Sequence, residues 1–323
     1  MNKFTFFGGK GGVGKTTVSS AFGLKNARAE YKTLVVSTDP AHSTADVFDQ
    51  EFGDEPRSVG AVENLWAMEI DPDEEVDRHL QEIKRRMSDQ VSASIVNQID
   101  RQVELAHQTP GAYESALFDR FIEVMRDSDE FDRVVFDTSP TGGTLRLLAL
   151  PEFLGEWLDR LIDKRAKSLD LYEKAAIGDQ EARRKAETDP IIEHLRRRKE
   201  KFEFAGETLR EKAAFYLVLN PDELSIRETG RAIESMSGYD LSVDGLVVNK
   251  VTPEPSDDED GRGARYLRDR VATERERLEE IESSFDPPVV ATIESRVEEV
   301  KGDLLEEVAE NLAIEVGAEA VAD

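Results

Sequence analysis

The stretch Gly9-Lys10-Gly11-Gly12-Val13-Gly14-Lys15-Thr16-Thr17 holds the residues of this chain best suited to chemistry. It satisfies G-x-x-x-x-G-K-[ST], in which a glycine-rich backbone turns its N–H groups inward on phosphate oxygens. The apolar run "FTFFG" at 4–8 precedes it, and a helical pattern, "KTTVSSAFGLKNARAE" at 15–30, follows. The new helix adds the positive end of its dipole to the same place. Lys15 is placed to neutralise the β- and γ-phosphates, and the Thr16 hydroxyl to ligate magnesium. Gly9, Gly11, Gly12, Val13 and Gly14 supply backbone, and Thr17 joins the expected nucleotide contacts. Lys10 is a second cation on the rim of the same loop. Its spacing leaves two readings open: a solvated lysine, or one that reaches a phosphate from outside, including a phosphate held by a neighbouring subunit.

Two acids and one amide extend the site. "STDPAHST" at 37–44 contains Asp39, which either orients the water that attacks a γ-phosphate or closes a turn before proline. "VVFDTSPTGGTLRLL" at 134–148 places Asp137 at the end of an apolar strand, where a carboxylate holds a magnesium-bound water or caps a helix. Thr141, Gly142 and Gly143 follow as an N–H-rich segment able to sense the γ-phosphate. "GLVVNKVT" at 245–252 looks like the base-reading N-K-x-D of GTPases, with Thr252 in place of the aspartate. A threonine hydroxyl cannot accept both guanine donors, so ATP is favoured, with Asn249 contacting adenine.

These residues need a scaffold. Seven short apolar runs, at 4–8, 33–38, 65–70, 133–138, 214–219, 243–249 and 288–293, lack polar alternation, as strands buried on both faces require. Helical patterns lie between them, as in "ELSIRETGRAIESM" at 223–236. The reading is a doubly wound, mostly parallel α/β sheet of the phosphate-loop NTPase type, one domain over 1–323 with an inserted helical subdomain. The insertions are expected at about 73–130 and 151–212, on the carboxyl edge where such sheets bind ligands. "TPEPSDDEDGRG" at 252–263 has loop composition.

Composition narrows the function. A formal charge of -27 argues against nucleic-acid partners, since no basic surface exists to displace phosphate counterions. Acids spread along the whole chain suit a salt-rich, halophilic cytoplasm, where charges are screened within about 3 Å at 1 M salt. With no cysteine, neither disulfides nor thiolate metal sites can form. No run approaches the roughly 20 apolar residues that span a bilayer. "MNKFTFFGG" runs straight into the phosphate loop, so a cytoplasmic protein without a signal peptide is expected.

The segments K-G-G-x-G-K-T, "DPAHS" and "DTSPTGGTLRLL" closely resemble the arsenite-pump and tail-anchored-protein-targeting ATPases. These share a deviant phosphate loop with the nitrogenase iron protein and the Min and partition ATPases. The resemblance covers residue 3 to about 150 and resumes at roughly 205–315. It implies a magnesium-dependent homodimer in which Lys10 is the signature lysine crossing to the partner's nucleotide. It also implies that Asp39 orients water, that Asp137 holds magnesium through water, and that a further adenine-contacting loop falls near Ile293-Glu294-Ser295. Membrane-protein clients, a membrane receptor or a pump subunit are the implied partners, with an arsenite or antimonite efflux ATPase as the alternative role. A Min-like positioning ATPase finds no basic patch or amphipathic tail to support it.

Two departures matter. Gly143 stands where the family usually has histidine. The zinc-binding C-x-x-C of many targeting members would fall near 258–264, where this chain has "EDGRGA", so no zinc is expected. His42, His79, His107 and His194 are scattered. The basic cluster Arg196, Arg197, Arg198, Lys199 and Lys201 reads as a solvated helix face. The apolar stripes at 116–125 and 149–162 read as core packing more readily than as a client groove. If the acidic surface is a salt adaptation, thermal unfolding followed by circular dichroism will move to higher temperature as KCl rises from dilute to molar. Full stability in dilute buffer would remove that reading.

Overall fold

The computed structural model describes residues 2–38, 43–60, 62–71, 74–75, 78, 112–138, 159–164 and 190–316. Its strands are β1 (Phe4–Gly9), β2 (Thr33–Ser37), β3 (Arg57–Ser58), β4 (Leu65–Glu69), β5 (Arg133–Asp137), β6 (Ala213–Leu219), β7 (Gly245–Val251) and β8 (Val289–Glu294). The helices are α1 (Lys15–Arg28), α2 (Ser43–Phe48), α3 (Ala112–Asp127), α4 (Pro190–Glu211), α5 (Glu223–Ser237), α6 (Arg262–Ser284) and α7 (Asp303–Asn311). The strands form one sheet in the order β3-β4-β2-β5-β1-β6-β7-β8. Every neighbouring pair is parallel except β3 with β4. All seven apolar runs are strands, and the architecture is the doubly wound α/β type that the sequence implies. The two-residue edge strand β3, polar and exposed, carries no apolar signal to read.

Alternate residues of each central strand serve opposite faces. Phe4 and Phe6 of β1, Leu34 and Val36 of β2, and Val134 and Phe136 of β5 enter one core. Phe7, Val35 and Val135 enter the other. This two-sided burial explains why the runs show no polar alternation. On the first face, an aromatic row crosses three strands. Phe6 stacks on Phe136 at 4.5 Å and on Phe215 at 5.2 Å, while Phe121 of α3 meets Phe136 edge-on at 5.2 Å. On the second face α1 lies almost wholly buried, covered by Leu305, Val308 and Ala309 of α7.

The helices that flank β1 leave on opposite sides. α1 packs on the second face, whereas Phe202, Ala205 and Leu209 of α4, which leads into β6, pack on the first. That divergence opens a crevice above the carboxyl ends of β5, β1 and β6, where ligands of open α/β sheets bind. α3 and α4 occupy the carboxy-terminal ends of the two long charged gaps, and their apolar faces lie on the sheet. The remainder of the expected helical insertions lies outside the described residues. The stripe at 116–125 is core: Leu117, Phe118, Phe121, Ile122 and Met125 are all buried. The stripe at 149–162 falls mostly outside the described residues.

The basic cluster on α4 differs in part from the solvated face expected of it. Arg198 pairs with Asp119 at 3.7 Å, Lys201 with Glu123 at 3.7 Å, and Lys199 with Asp159 at 2.7 Å. Acids on other elements thus meet three of the five basic residues, while Arg196 and Arg197 are exposed, as a solvated face requires. Among the described residues, no helix is long and apolar enough to cross a membrane. Phe136→Ala removes the ring that Phe4, Phe6 and Phe121 all meet and should cost about 3–5 kcal/mol in urea unfolding. A loss below about 1 kcal/mol would show that the row is not a main element of the core.

Candidate active site

The loop between β1 and α1 is shaped by contacts that only glycine permits. Gly9 has φ +143°, and a Cβ there would stand 2.1 Å from the Val218 carbonyl oxygen of β6. Gly14, with φ +94°, would drive a Cβ to 2.3 Å from Asn249 Nδ2. Between them Val13 is 1% exposed and anchors the loop in the second core. Lys15 begins α1 and is itself buried, its ammonium donating back to the Lys10 carbonyl at 3.1 Å. The two lysines of the loop are thus separated: Lys15 lies within it, while Lys10 is half-buried at its rim. Among the described residues, the Lys10 side chain has no hydrogen bond or ion pair.

Strand ends bring the other polar groups to the loop. Asp137, 1% exposed at the end of β5, accepts a hydrogen bond from Thr16 Oγ1 at 2.6 Å. Ser37 Oγ of β2 lies 3.5 Å from the same carboxylate oxygen. The Thr138 hydroxyl donates to the Phe7 carbonyl at 2.9 Å, fastening β5 to β1 just below the loop. A hydroxyl, a carboxylate and the start of a helix converge here. They are hard oxygen donors in a buried place, which fits a magnesium ion that keeps some of its waters. Asp39 and the Thr141–Gly143 segment lie outside the described residues. The helix that follows Asp39 is held: Ala45 N–H at the start of α2 donates to Glu69 Oε1 of β4 at 3.0 Å. Glu69 was not foreseen from sequence, since a single acid ending an apolar run carries no signature.

Beside the loop opens a cleft of about 360 Å³ lined by Gly12, Thr17, Asn249, Lys250 and the segment 293–296. The tertiary fold therefore joins the expected adenine contacts, Asn249 and Ile293-Glu294-Ser295, in one place beside the phosphate loop. Asn249 does more than line it. Its Nδ2 donates to the Val13 carbonyl at 2.7 Å, and its Oδ1 accepts from Lys250 N–H at 2.9 Å. Lys250 was not singled out from the sequence, although it stands inside the quoted "NK". Its backbone is left-handed, φ +60°, and its ammonium donates to the Gly12 carbonyl at 2.7 Å. Carbonyl and N–H point oppositely across a trans peptide plane. Holding the Gly12 and Val13 carbonyls toward β7 therefore turns the Val13 and Gly14 N–H groups the other way, as an anion-binding loop needs.

The sequence matches the family described as anion-transporting ATPase over residues 2–313. The chain belongs to that family. It is an ATPase, and the cleft and loop are where its nucleotide chemistry would reside. The ATPase is 34% identical to a putative arsenical pump-driving ATPase 2 of Aquifex aeolicus, over 92% of this chain and 94% of that protein. It is 31% identical to "ATPase GET3" of Chaetomium globosum, over 93% of this chain and 86% of the relative. A putative arsenical pump-driving ATPase of Halobacterium salinarum is 33% identical over 95% of this chain, which spans only 43% of that relative.

Among the described residues, no cluster of His, Asp or Glu is arranged to hold a metal by itself. Gly14→Ala should weaken binding of a fluorescent ATP analogue by at least about tenfold, a loss of roughly 1.4 kcal/mol, with the far-ultraviolet spectrum retained. Unchanged affinity would show that the close approach of Asn249 to Gly14 does not shape the site.

Proposed function

We propose that this ATPase hydrolyses ATP with magnesium as a homodimer whose opening and closing follow the nucleotide, and that hydrolysis times the hand-over of membrane-protein clients. The observation that carries the mechanism is the separation of two lysines in one loop. Lys15 is buried and turned into the loop, where it would meet the β- and γ-phosphates of the nucleotide on its own chain. Lys10 stands on the rim with its side chain unengaged among the described residues, suited to reach the triphosphate of a second copy. A cation supplied in trans offsets charge that develops as the γ-phosphate leaves, as an arginine finger does.

Thr16 and Asp137 would hold magnesium, Thr16 directly and Asp137 through water. A magnesium ion held there would supply positive charge to offset the charge gathering on the phosphates. Asp39, two residues beyond β2, is assigned to orient the attacking water. Its strand pairs with β5 so that Ser37 stands level with Asp137, which supports a role close to the γ-phosphate. Asn249 and Lys250 brace the loop from β7, and the segment 293–296 closes the base side of the cleft. A cytoplasmic, salt-adapted protein working without zinc is consistent with the charge of -27 and the lack of cysteine.

A second role, the ATPase of an arsenite or antimonite efflux pump, is favoured by the name of the Aquifex relative. The absence of cysteine weakens a metalloid-regulated form of it, because soft thiolate ligands are missing. Mixing inactive Lys10→Ala protein with inactive Asp39→Asn protein tests the dimer. If Lys10 acts in trans, mixed dimers recover turnover, since the Lys10→Ala protomer keeps Asp39 and borrows its partner's lysine. No recovery would place Lys10 in its own site. Turnover stimulated by arsenite or antimonite, and not by a tail-anchor peptide, would reverse the order of the two roles.

A further inference from the structure

The carboxylate of Glu274 lies on α6, a helix that is otherwise largely exposed and rich in arginine and glutamate. Only Glu274 and Ile281 of that helix are buried. An apolar residue would be expected at such a position, and a buried carboxylate must be satisfied by hydrogen bonds. Glu274 is. Its Oε2 accepts from the Thr252 N–H at 2.6 Å, and its Oε1 accepts from the Thr252 hydroxyl at 2.8 Å and from Arg270 Nε at 2.8 Å. Burial alone would push the Glu274 carboxyl up. The Thr252 N–H, the Arg270 guanidinium and the Thr252 hydroxyl outweigh it and hold the group below its ordinary value. The carboxylate is ionised when it grips Thr252.

Thr252 immediately follows β7, at a place where that strand departs from regular pairing. The register of β7 against β8 shifts between Val248 and Val251, and within the shift Lys250 takes its left-handed backbone. A bulge of this kind re-aims side chains and leaves part of the ladder unpaired. A non-glycine residue at positive φ persists only where its surroundings over-determine it. Lys250 itself is held by Asn249 Oδ1 and the Gly12 carbonyl, and on its carboxyl side Ser295 N–H donates to the Val251 carbonyl at 2.7 Å while Glu274 takes both donors of Thr252. What the bulge aims is the pair Asn249 and Lys250, whose amide and ammonium hold the Val13 and Gly12 carbonyls.

We propose that Glu274 is a positioning residue for the nucleotide site, clamping the end of β7 so that Asn249 and Lys250 hold the phosphate loop ready for the triphosphate. Thr252, at the position of a base-reading aspartate, has its hydroxyl committed to Glu274. In this chain that position anchors the strand instead of reading a base. This inference rests on the nucleotide site being the loop and cleft described above. It assigns Glu274 to ground-state binding of ATP, because the carbonyls it governs belong to the loop that would hold the phosphates.

Steady-state kinetics with ATP test this. Glu274→Gln keeps the size of the side chain but puts an N–H₂ in place of one carboxylate oxygen, where it meets either the Thr252 N–H or the Thr252 hydroxyl and Arg270 Nε. It should raise KM for ATP by about tenfold, the scale of one charge-assisted hydrogen bond, with kcat little changed. In a Lys250→Ala background the same substitution should add less than about twofold, since linked residues are not additive. Thr252→Val removes a single donor and should move KM in the same direction, whereas Thr252→Ser should restore it. An unchanged KM in Glu274→Gln would overturn the inference. So would an equal increase in the Lys250→Ala background, because Glu274 would then act on stability alone. If Glu274→Gln does not fold, the Thr252 pair and its cycle with Lys250→Ala decide the matter. ATP binding by the wild-type protein that Lys15→Ala leaves undiminished would instead remove the site assignment itself.

Discussion

β1 is wedged between β5 and β6 with both of its faces covered, and the candidate active site hangs from its end. Because Phe4 and Phe6 are committed to one core and Phe7 to the other, the strand can neither slide nor rotate without unburying aromatic surface. A one-residue slip would exchange the faces of every side chain. The carboxyl end of β1 is therefore a fixed point, and the loop that follows begins from a known position and direction. Gly8 and Gly9 continue the pairing with Leu217 and Val218 of β6, so the chain leaves the sheet only where a side chain would no longer fit.

Three strands then deliver polar groups to that fixed point. β5 brings Asp137 to Thr16, β2 brings Ser37 beside the same carboxylate, and β7 brings Asn249 and Lys250 against the outer carbonyls of the loop. Each group sits at or near a strand end, where the parallel ladder stops and backbone polarity turns toward solvent or ligand. The site is thus held from three directions. Its charge balance is local as well: a chain of -27 concentrates lysine ammonium groups at the loop, while Arg198, Lys199 and Lys201 of α4 are matched by acids on other elements.

The helix after the Asp39 segment is also tethered to the sheet. Glu69 of β4 accepts from the first turn of α2, and the Glu69 N–H donates to the Gly53 carbonyl at 2.9 Å. The adjacent Asp54 carbonyl accepts from Arg120 of α3 at 2.6 Å, and the Asp54 carboxylate pairs with Arg78. Arg120 also faces the buried Glu75, whose carboxyl is pushed up by burial against the pull of Arg78 and Arg120. These contacts link the start of α2 to a helix on the first face by polar bonds between packed elements.

Much of this was legible in one dimension. Nearly continuous apolar runs marked all seven long strands, because burial on both faces leaves no room for polar alternation. The glycine pattern of residues 9–14 marked the turn between β1 and α1, because a Cβ at Gly9 or Gly14 would clash with β6 or Asn249. Asp137 was legible from its place at the end of such a run. Other features belonged to the tertiary structure. Thr16 and Asp137 are 121 residues apart, and Asn249 and Val13 are 236 apart. Their meeting depends on the strand order and not on any local period. Lys250 acts through a bulge, and Glu274 on an exposed-looking helix acts through Thr252, so neither pattern nor composition distinguished them. Side-chain periodicity encodes which face is buried; which distant polar group completes a hydrogen bond is decided only when the sheet has assembled.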